Sequence, residues 1–334
     1  MSVIPHNKLS ISTEESLAAQ SVLESGILAN GEQVSLFEYE ICEFLGLPDG
    51  HAVATSTGST ALFLALKALN SSHVVIPTYV CNSLKQAADL AGLTTEIIDT
   101  TAGKTIICQK SLNNSNADTL IYPYLYGQAT TLPSFSGKII EDVAQALGAS
   151  ANGKPLGAIA DIGVLSFYAT KLITSGGQGG MVVSKNKEHI DFVRDYLDFD
   201  MRSGKSHHFN LPLSELQAAI GRCQLKKLPS FIQKREQIWQ IYKEAKLPLL
   251  DDTESNCQSV RYRAIVTTNK ANQLIAKLKE SNISAIIPIE ITELLKISQN
   301  AQSLANNTVS LPIYPTLSLE HASKIATICY EFLT

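Results

Sequence analysis

Gly137-Lys-Ile-Ile-Glu-Asp142-Val-Ala-Gln145, then Asp161-Ile-Gly-Val-Leu-Ser166-Phe-Tyr-Ala-Thr-Lys171, then Gly176-Gly-Gln-Gly-Gly180-Met-Val-Val183 are the stretches that decide how this chain folds. Each holds a short β-branched apolar run bounded by glycine or polar residues, which is the pattern of a strand. The run Val164-Leu-Ser-Phe-Tyr168 is too hydrophobic for a surface strand, so Lys171 at its end is a partly desolvated amine suited to nucleophilic attack. Asp142 falls at the C-terminal edge of a central strand, the place where open α/β sheets bind ligands. The run Gly176 to Gly180 is no dinucleotide fingerprint, because no strand feeds it into a helix; it reads as a tight connection into the strand Met181-Val-Val.

Outward from that centre the same rhythm continues. An N-cap followed by helical periodicity covers residues 13 to 25, with Gly26 placed to end the helix, and a second helix covers Val34 to Leu45. Ala52-Val-Ala-Thr is a short strand, and Ala61 to Leu69 is apolar nearly all round, as a buried helix is. Strands at Val74-Val-Ile, Thr95-Glu-Ile-Ile, Thr105-Ile-Ile and Leu120-Ile-Tyr then alternate with helical stretches such as Ser83 to Ala91. This pattern predicts an α/β protein with a mostly parallel sheet covered on both faces. Residues 214 to 245 form one long helical region, and a second α/β pattern starts near Tyr262, so we expect a large domain over 1–240 and a small C-terminal α/β domain over 241–334.

Composition removes several function classes. The net charge of -4 is modest and the 27 basic residues are dispersed, which argues against nucleic-acid binding. The six cysteines (42, 81, 108, 223, 257 and 329) are scattered and form no metal pattern with the seven histidines, so we expect reduced thiols in a cytoplasmic protein. No signal-peptide core and no membrane-spanning run is expected. His207-His208 is the only vicinal pair that could bind a metal, and no second ligand cluster stands near it in sequence.

The chemistry sits in four places. Thr57-Gly58-Ser59-Thr60 joins a strand to the buried helix, and free N–H groups, hydroxyls and a glycine there make either a phosphate cradle or an ordinary helix cap. Asp142, if buried, needs a cationic partner such as a protonated pyridine nitrogen; alternatively it caps a following helix with Gln145 in the capping-box position. Lys171 has the side chain for a Schiff base with an aldehyde. Asn210 lies just before the helix at Ser214. In their order and spacing, Lys171, Asp142 with Gln145 and the glycine-rich run look like the parts of a pyridoxal-phosphate site. Arg202, Arg261 and Arg263 are candidates for binding a substrate carboxylate or diphosphate.

Taken together, the residues resemble the nucleotide-sugar aminotransferases, the DegT-like branch of the aspartate-aminotransferase (fold type I) pyridoxal-phosphate enzymes. The resemblance runs nearly end to end: Ser25-Gly26 through Phe37-Glu38, Thr57-Gly-Ser-Thr-Ala-Leu62, Tyr124-Leu-Tyr-Gly-Gln128, Glu141-Asp-Val-Ala-Gln-Ala146, Asp161 to Lys171, Gln178-Gly-Gly-Met181, Gln217-Ala-Ala-Ile-Gly221 and Leu311-Pro-Ile-Tyr-Pro315. It implies a seven-stranded-type sheet in the large domain and pyridoxal 5'-phosphate as cofactor. By the same resemblance Lys171 would carry the cofactor and move the substrate proton, Asp142 would pair with the pyridine nitrogen, and Gln145 would contact the ring hydroxyl. Gly58, Ser59 and Ser166 would bind the phosphate, with Asn210 reaching over from the other subunit of a homodimer. The reaction implied is amino transfer from an amino acid, usually glutamate, to a ketone on a nucleotide-linked sugar; lysine at 171 rather than histidine argues for transamination over dehydration.

Three positions depart from the family pattern. Cys81 stands where relatives stack an aromatic residue on the cofactor ring, so either Tyr79 substitutes or the ring face is packed differently. Tyr124 replaces a histidine, and Ile286-Ile-Pro-Ile-Glu-Ile-Thr-Glu293 replaces a His-Tyr-Pro-type segment that helps shape the acceptor pocket. A non-nucleotide acceptor such as a cyclitol or small keto acid, and a cofactor-binding protein without transaminase activity, stay open as alternatives.

Overall fold

The computed structural model describes residues 3–200 and 208–334. In chain order the elements are α1 (Thr13–Ser25), α2 (Glu32–Leu45), β1 (Ala52–Thr55), α3 (Gly58–Ala68), β2 (His73–Pro77), α4 (Ser83–Ala91), β3 (Thr94–Ile98), α5 (Gln109–Leu112), β4 (Thr119–Pro123), β5 (Lys138–Asp142), β6 (Ser150–Ala151), β7 (Lys154–Pro155), β8 (Ile162–Ser166) and β9 (Gly180–Val183). They continue as α6 (Lys187–Leu197), α7 (Glu215–Glu244), β10 (Cys257–Gln258), β11 (Ala264–Thr267), α8 (Ala271–Glu280), α9 (Gln299–Asn307), β12 (Thr308–Leu311) and α10 (Leu319–Leu333).

Local signals account for the helix ends. A capping box between Ser12 and Glu15 starts α1 and Gly26, in the left-handed region, ends it. Helix α2 begins two residues before the expected Val34, because the carboxylate of Glu215, far away in sequence, accepts the N–H groups of Gln33 and Val34 at 2.8 Å each. The expected strand at Thr105-Ile-Ile does not form and leaves only one bridge, between Thr100 and Ile107. Asp252 explains this: it takes both the backbone N–H and the hydroxyl of Thr105, each at 2.8 Å, so the ladder loses that donor.

Seven strands make one sheet in the order β1-β9-β8-β5-β4-β2-β3. The pairs of β2 with β3 and β4, of β4 with β5, and of β5 with β8 are parallel, while β9 runs antiparallel to both β1 and β8. Side chains alternate across it: Val75, Leu120 and Tyr122 enter one core with Phe37, Ile41 and Leu228, and Val74, Ile76, Ile121 and Ile140 enter the other with Leu62, Leu64 and Leu66. A third core gathers Trp239 and Tyr242 of α7 with the antiparallel pair β11–β12 and with α8 and α10.

This topology brings the chemistry to one edge. Asp142 closes β5 and Ser166 closes β8, and both strands are parallel, so both residues reach the same edge of the sheet. Because β9 runs the other way, its first residue, Gly180, pairs with Thr55 on one side and Ser166 on the other.

Candidate active site

The turn after β1 is built for an anion. Thr57, with extended backbone, caps α3 by accepting the N–H of Thr60 at 3.0 Å. Gly58 and Ser59 then supply the first two N–H groups of the helix, and neither donates a hydrogen bond among the described residues. Their direction and the positive end of the helix both suit a phosphate. Ser166 closes the cradle from β8: a Cβ on Gly58 would stand 2.8 Å from its Cβ. A Cβ on Gly180 would come within 2.4 Å of the Thr57 carbonyl and 2.6 Å of the Gly58 nitrogen, so β9 can lie against this turn only with glycine there.

Asp142 is 9 % exposed, and its Oδ1 accepts the N–H of Ala144 at 3.0 Å. Burial pushes the carboxyl above the usual range, against the opposing pull of the Ala144 N–H and the Lys171 charge. A turn rather than an α-helix follows it, so the helix-capping reading of Asp142 and Gln145 does not apply. Gln145 does something else: its Oε1 accepts the N–H of Tyr126 at 2.7 Å, which leaves its Nε2 without a partner among the described residues. Glu141, one residue before, is fully buried and accepts the N–H groups of Gly157, Ile159 and Ala160 at 2.8–2.9 Å. Tyr124, at the position where the family pattern has histidine, donates its hydroxyl to that same carboxylate at 3.1 Å and is buried. That substitution therefore lies behind the cleft.

Gly58, Ser59, Cys81, Asp142, Gln145, Ser166 and Lys171 line one cleft of about 210 Å³. Lys171 makes no ion pair among the described residues, and its Nζ lies 5.8 Å from the centre of the Tyr262 ring. Cys81 is exposed and its Sγ takes a contact from the Ser83 hydroxyl at 3.3 Å. Tyr79 does not substitute for the missing aromatic: it is fully buried, with its hydroxyl 2.8 Å from that of Tyr126. The cleft walls are instead aliphatic, with Val80, Leu125 and Val164, and Tyr168 stands at its rim.

Asn210 is exposed and is not part of this cleft, although its neighbour Leu211 accepts the N–H of Ser56 at 2.8 Å beside the phosphate turn. Arg261 is spent elsewhere, paired with Glu236 at 3.1 Å and Asp251 at 3.0 Å, and is not available for a substrate. Arg263 has no such pairing among the described residues. Arg202 and His207 lie outside the described residues, and no grouping of side chains among the described residues could hold a metal ion. Tyr262 escaped the sequence reading; its only signal was an aromatic between two arginines at the start of a strand. Burial would raise its phenol pKa, but the charges of Lys171, Arg263 and Arg235 outweigh that and bring it below the ordinary value.

Chemically, the cleft offers a primary amine, a buried carboxylate and a set of unpaired anion donors on three walls. The family model described as the DegT/DnrJ/EryC1/StrS aminotransferase family matches residues 9–329. Among curated proteins, the chain is 29 % identical over 282 residues to GDP-perosamine synthase of Vibrio cholerae, covering 76 % of this chain and 74 % of that one. It is 27 % identical over 337 residues to the UDP-N-acetyl-3-dehydro-alpha-D-glucosamine 3-aminotransferase of Acidithiobacillus ferrooxidans, covering 92 % and 90 %. Among solved structures, DesV of S. venezuelae in complex with a ketimine intermediate superposes with a TM-score of 0.90 at 23 % identity, over 100 % of this chain and 99 % of that one.

Proposed function

Because this chain belongs to the DegT/DnrJ/EryC1/StrS aminotransferase family, we propose that it uses pyridoxal 5'-phosphate to move an amino group from an amino acid, L-glutamate in our reading, to the ketone of a nucleotide-linked sugar. The product would serve polysaccharide or secondary-metabolite assembly, as the names of the relatives suggest. The observation that carries this reading is the single cleft in which Lys171, Asp142, Gln145 and the Gly58–Ser59–Ser166 cradle meet.

The donor set fits the cofactor. Unpaired N–H groups of Gly58 and Ser59, with the hydroxyls of Ser59 and Ser166, suit a phosphate dianion. The buried Asp142, with one hydrogen bond of its own, suits a protonated ring nitrogen, and the spare Nε2 of Gln145 suits a ring oxygen. When bound, the cofactor supplies an electron sink for the carbon that loses its proton. Asp142 would hold the ring nitrogen protonated, and Lys171 Nζ would be the group that takes the proton from the donor's α-carbon and delivers it to the cofactor carbon. Leu125, Val80 and Val164 would give the ring an apolar surround.

We further read the molecule as a cytoplasmic homodimer in which Asn210 completes the phosphate site of the partner subunit, its exposure and its place beside the Ser56–Leu211 contact being the support. No helix among the described residues is long and apolar enough to cross a membrane. Residues 1–240 and 241–334 are the two domains of this reading, with α7 running from one into the other.

The test is the absorption spectrum of the protein with pyridoxal phosphate, before and after L-glutamate, followed by mixing with nucleotide-linked keto sugars. Conversion of the lysine-bound cofactor band to that of pyridoxamine phosphate supports amino transfer. A band that no amino acid alters would sink the reading.

A further inference from the structure

Four segments far apart in the chain meet behind Lys171 around a cavity of about 20 Å³: residues 7–10 ahead of α1, the loop 169–174 after β8, helix α7, and Pro315 beyond β12. Lys8, Lys171 and Arg235 line it, and no aspartate or glutamate does. None of these three cations has a carboxylate within 4.0 Å among the described residues, whereas Arg194, Arg222 and Arg261 each hold an ion pair.

We propose that this cavity is a binding site for a single halide ion such as chloride, held by Arg235 and the Ser10 hydroxyl. The site is independent of the amino donor and acceptor: of its lining residues, only Lys171 also lines the cofactor cleft.

Charge is the first support. Arg235 is 3 % exposed, and a cation taken out of water without a counter-ion is among the costliest groups a fold can bury. It stays charged at neutral pH: burial brings its guanidinium pKa down to about 10, with the Tyr262 phenol opposing and the Arg263 charge assisting. The Tyr262 phenol is no dedicated counter-ion, because it lines the neighbouring cavity and its ring is shared with Lys171 and Arg263. Glu15, which Gln224 reaches at 2.6 Å from the cavity wall, is taken up by Lys227 at 2.7 Å.

Hydrogen bonding is the second. Arg235 Nε and Ser10 Oγ are both buried and have no partner among the described residues, and both can donate. Each is held in place by other bonds of its own residue. Arg235 donates from one terminal nitrogen to the carbonyls of Tyr262 at 3.0 Å and Ile313 at 2.8 Å, and the Ser10 carbonyl accepts Gln224 Nε2 at 2.9 Å. A water molecule would meet these donors but leave the charge unbalanced, while a halide answers both. The volume is that of one water-sized particle, which selects a monoatomic anion over a carboxylate or a phosphate. Bound there, the ion ties residues 7–10, the loop that carries Lys171 and helix α7 together, so it stabilises the native chain by mass action.

The experiment has two arms on the holoenzyme. Crystals soaked in sodium bromide are expected to show an anomalous peak in this cavity, beside Arg235 Nε and Ser10 Oγ. Melting in sodium chloride against sodium gluconate at equal ionic strength is expected to show a saturable rise of a few degrees with chloride alone. Arg235→Gln should abolish that rise. Ser10→Ala, a milder change that serves if the glutamine variant melts early, should raise the half-saturating chloride concentration about tenfold. The proposal is overturned if the cavity holds only water, if bromide appears only at surface sites, if chloride and gluconate protect equally, or if Ser10→Ala keeps the wild-type half-saturation.

Discussion

The side-chain oxygen of Gln145 accepts the backbone N–H of Tyr126 at 2.7 Å, and Tyr126 holds a left-handed backbone with φ of 62°. The glutamine thus has one end committed to holding a strained turn and the other turned to the cleft. Gln145→Glu keeps the acceptor and removes the donor. The protein should fold with an unchanged melting temperature but hold pyridoxal phosphate about tenfold or more weakly, measured by cofactor release on dialysis. An equal affinity would remove Gln145 from the cofactor site.

Asp142→Asn should act in opposite directions on stability and turnover. The folded-state pKa of Asp142 is raised, so the native state holds its proton more tightly than the unfolded chain does, and ionisation of this group costs stability as pH rises through that value. Asparagine removes the charge and keeps the acceptor for Ala144. The cofactor-free variant should melt above wild type at neutral pH, with the gap closing as pH falls through the raised folded value toward the unfolded carboxylate value of about 4. Turnover should fall by orders of magnitude. Scanning calorimetry across pH checks the first, and single-turnover spectra the second.

Gly180→Ala places a methyl 2.4 Å from the Thr57 carbonyl. Strand β9 or the phosphate turn must then shift, at a cost of about 1–3 kcal/mol. Denaturant unfolding should show this loss, and phosphate-containing cofactor should bind less well than in wild type. Wild-type values for both would mean that the turn yields freely.

Asp99 sits just beyond β3 and caps a helix from the far end of the chain. Its carboxylate accepts the N–H groups of Asn300 at 3.0 Å and Ala301 at 3.1 Å, with the Ser298 hydroxyl at 2.7 Å, at the start of α9. Burial opposes ionisation, yet the donors from Ser298, Asn300, Thr100 and Ala301 outweigh it, and the pKa is depressed. Its contribution is therefore present above the unfolded carboxylate pKa and lost as pH falls through the depressed folded value. Asp99→Ala should cost about 1–2 kcal/mol at neutral pH, and the difference from wild type should shrink in acid. Urea midpoints at two pH values measure it.

Asn210 lies outside the cleft of its own chain, so a shared site makes a distinctive prediction. Lys171→Ala and Asn210→Ala homodimers should each be impaired, the first without turnover and the second with weakened cofactor binding. Mixed dimers of the two should recover activity, because one of their two sites then has both residues intact. No recovery on mixing would place Asn210 outside the partner's site.

Much of this was legible in the linear chain. Lys171, Asp142, Gln145 and Ser166 stand at the ends of apolar runs, and a strand's end is where a parallel sheet presents side chains to a ligand. Helix limits followed from caps at Ser12, Gly26, Thr57 and Ser214, which act within a few residues of where they are written. The lost strand at Thr105 and the early start of α2 could not be read, because Asp252 and Glu215 act across long separations.

By itself, then, the sequence determined the strand-and-helix rhythm, the caps and the identity of the reactive groups, because periodicity and capping are short-range physics. Tertiary structure alone decided which cations keep a counter-ion, that Tyr79 is buried while Cys81 faces the cleft, and that Tyr262 gathers Lys171, Arg235 and Arg263. Those outcomes depend on which distant side chains compete for each charge, ring and hydrogen-bond donor, and that competition exists only once the chain has folded.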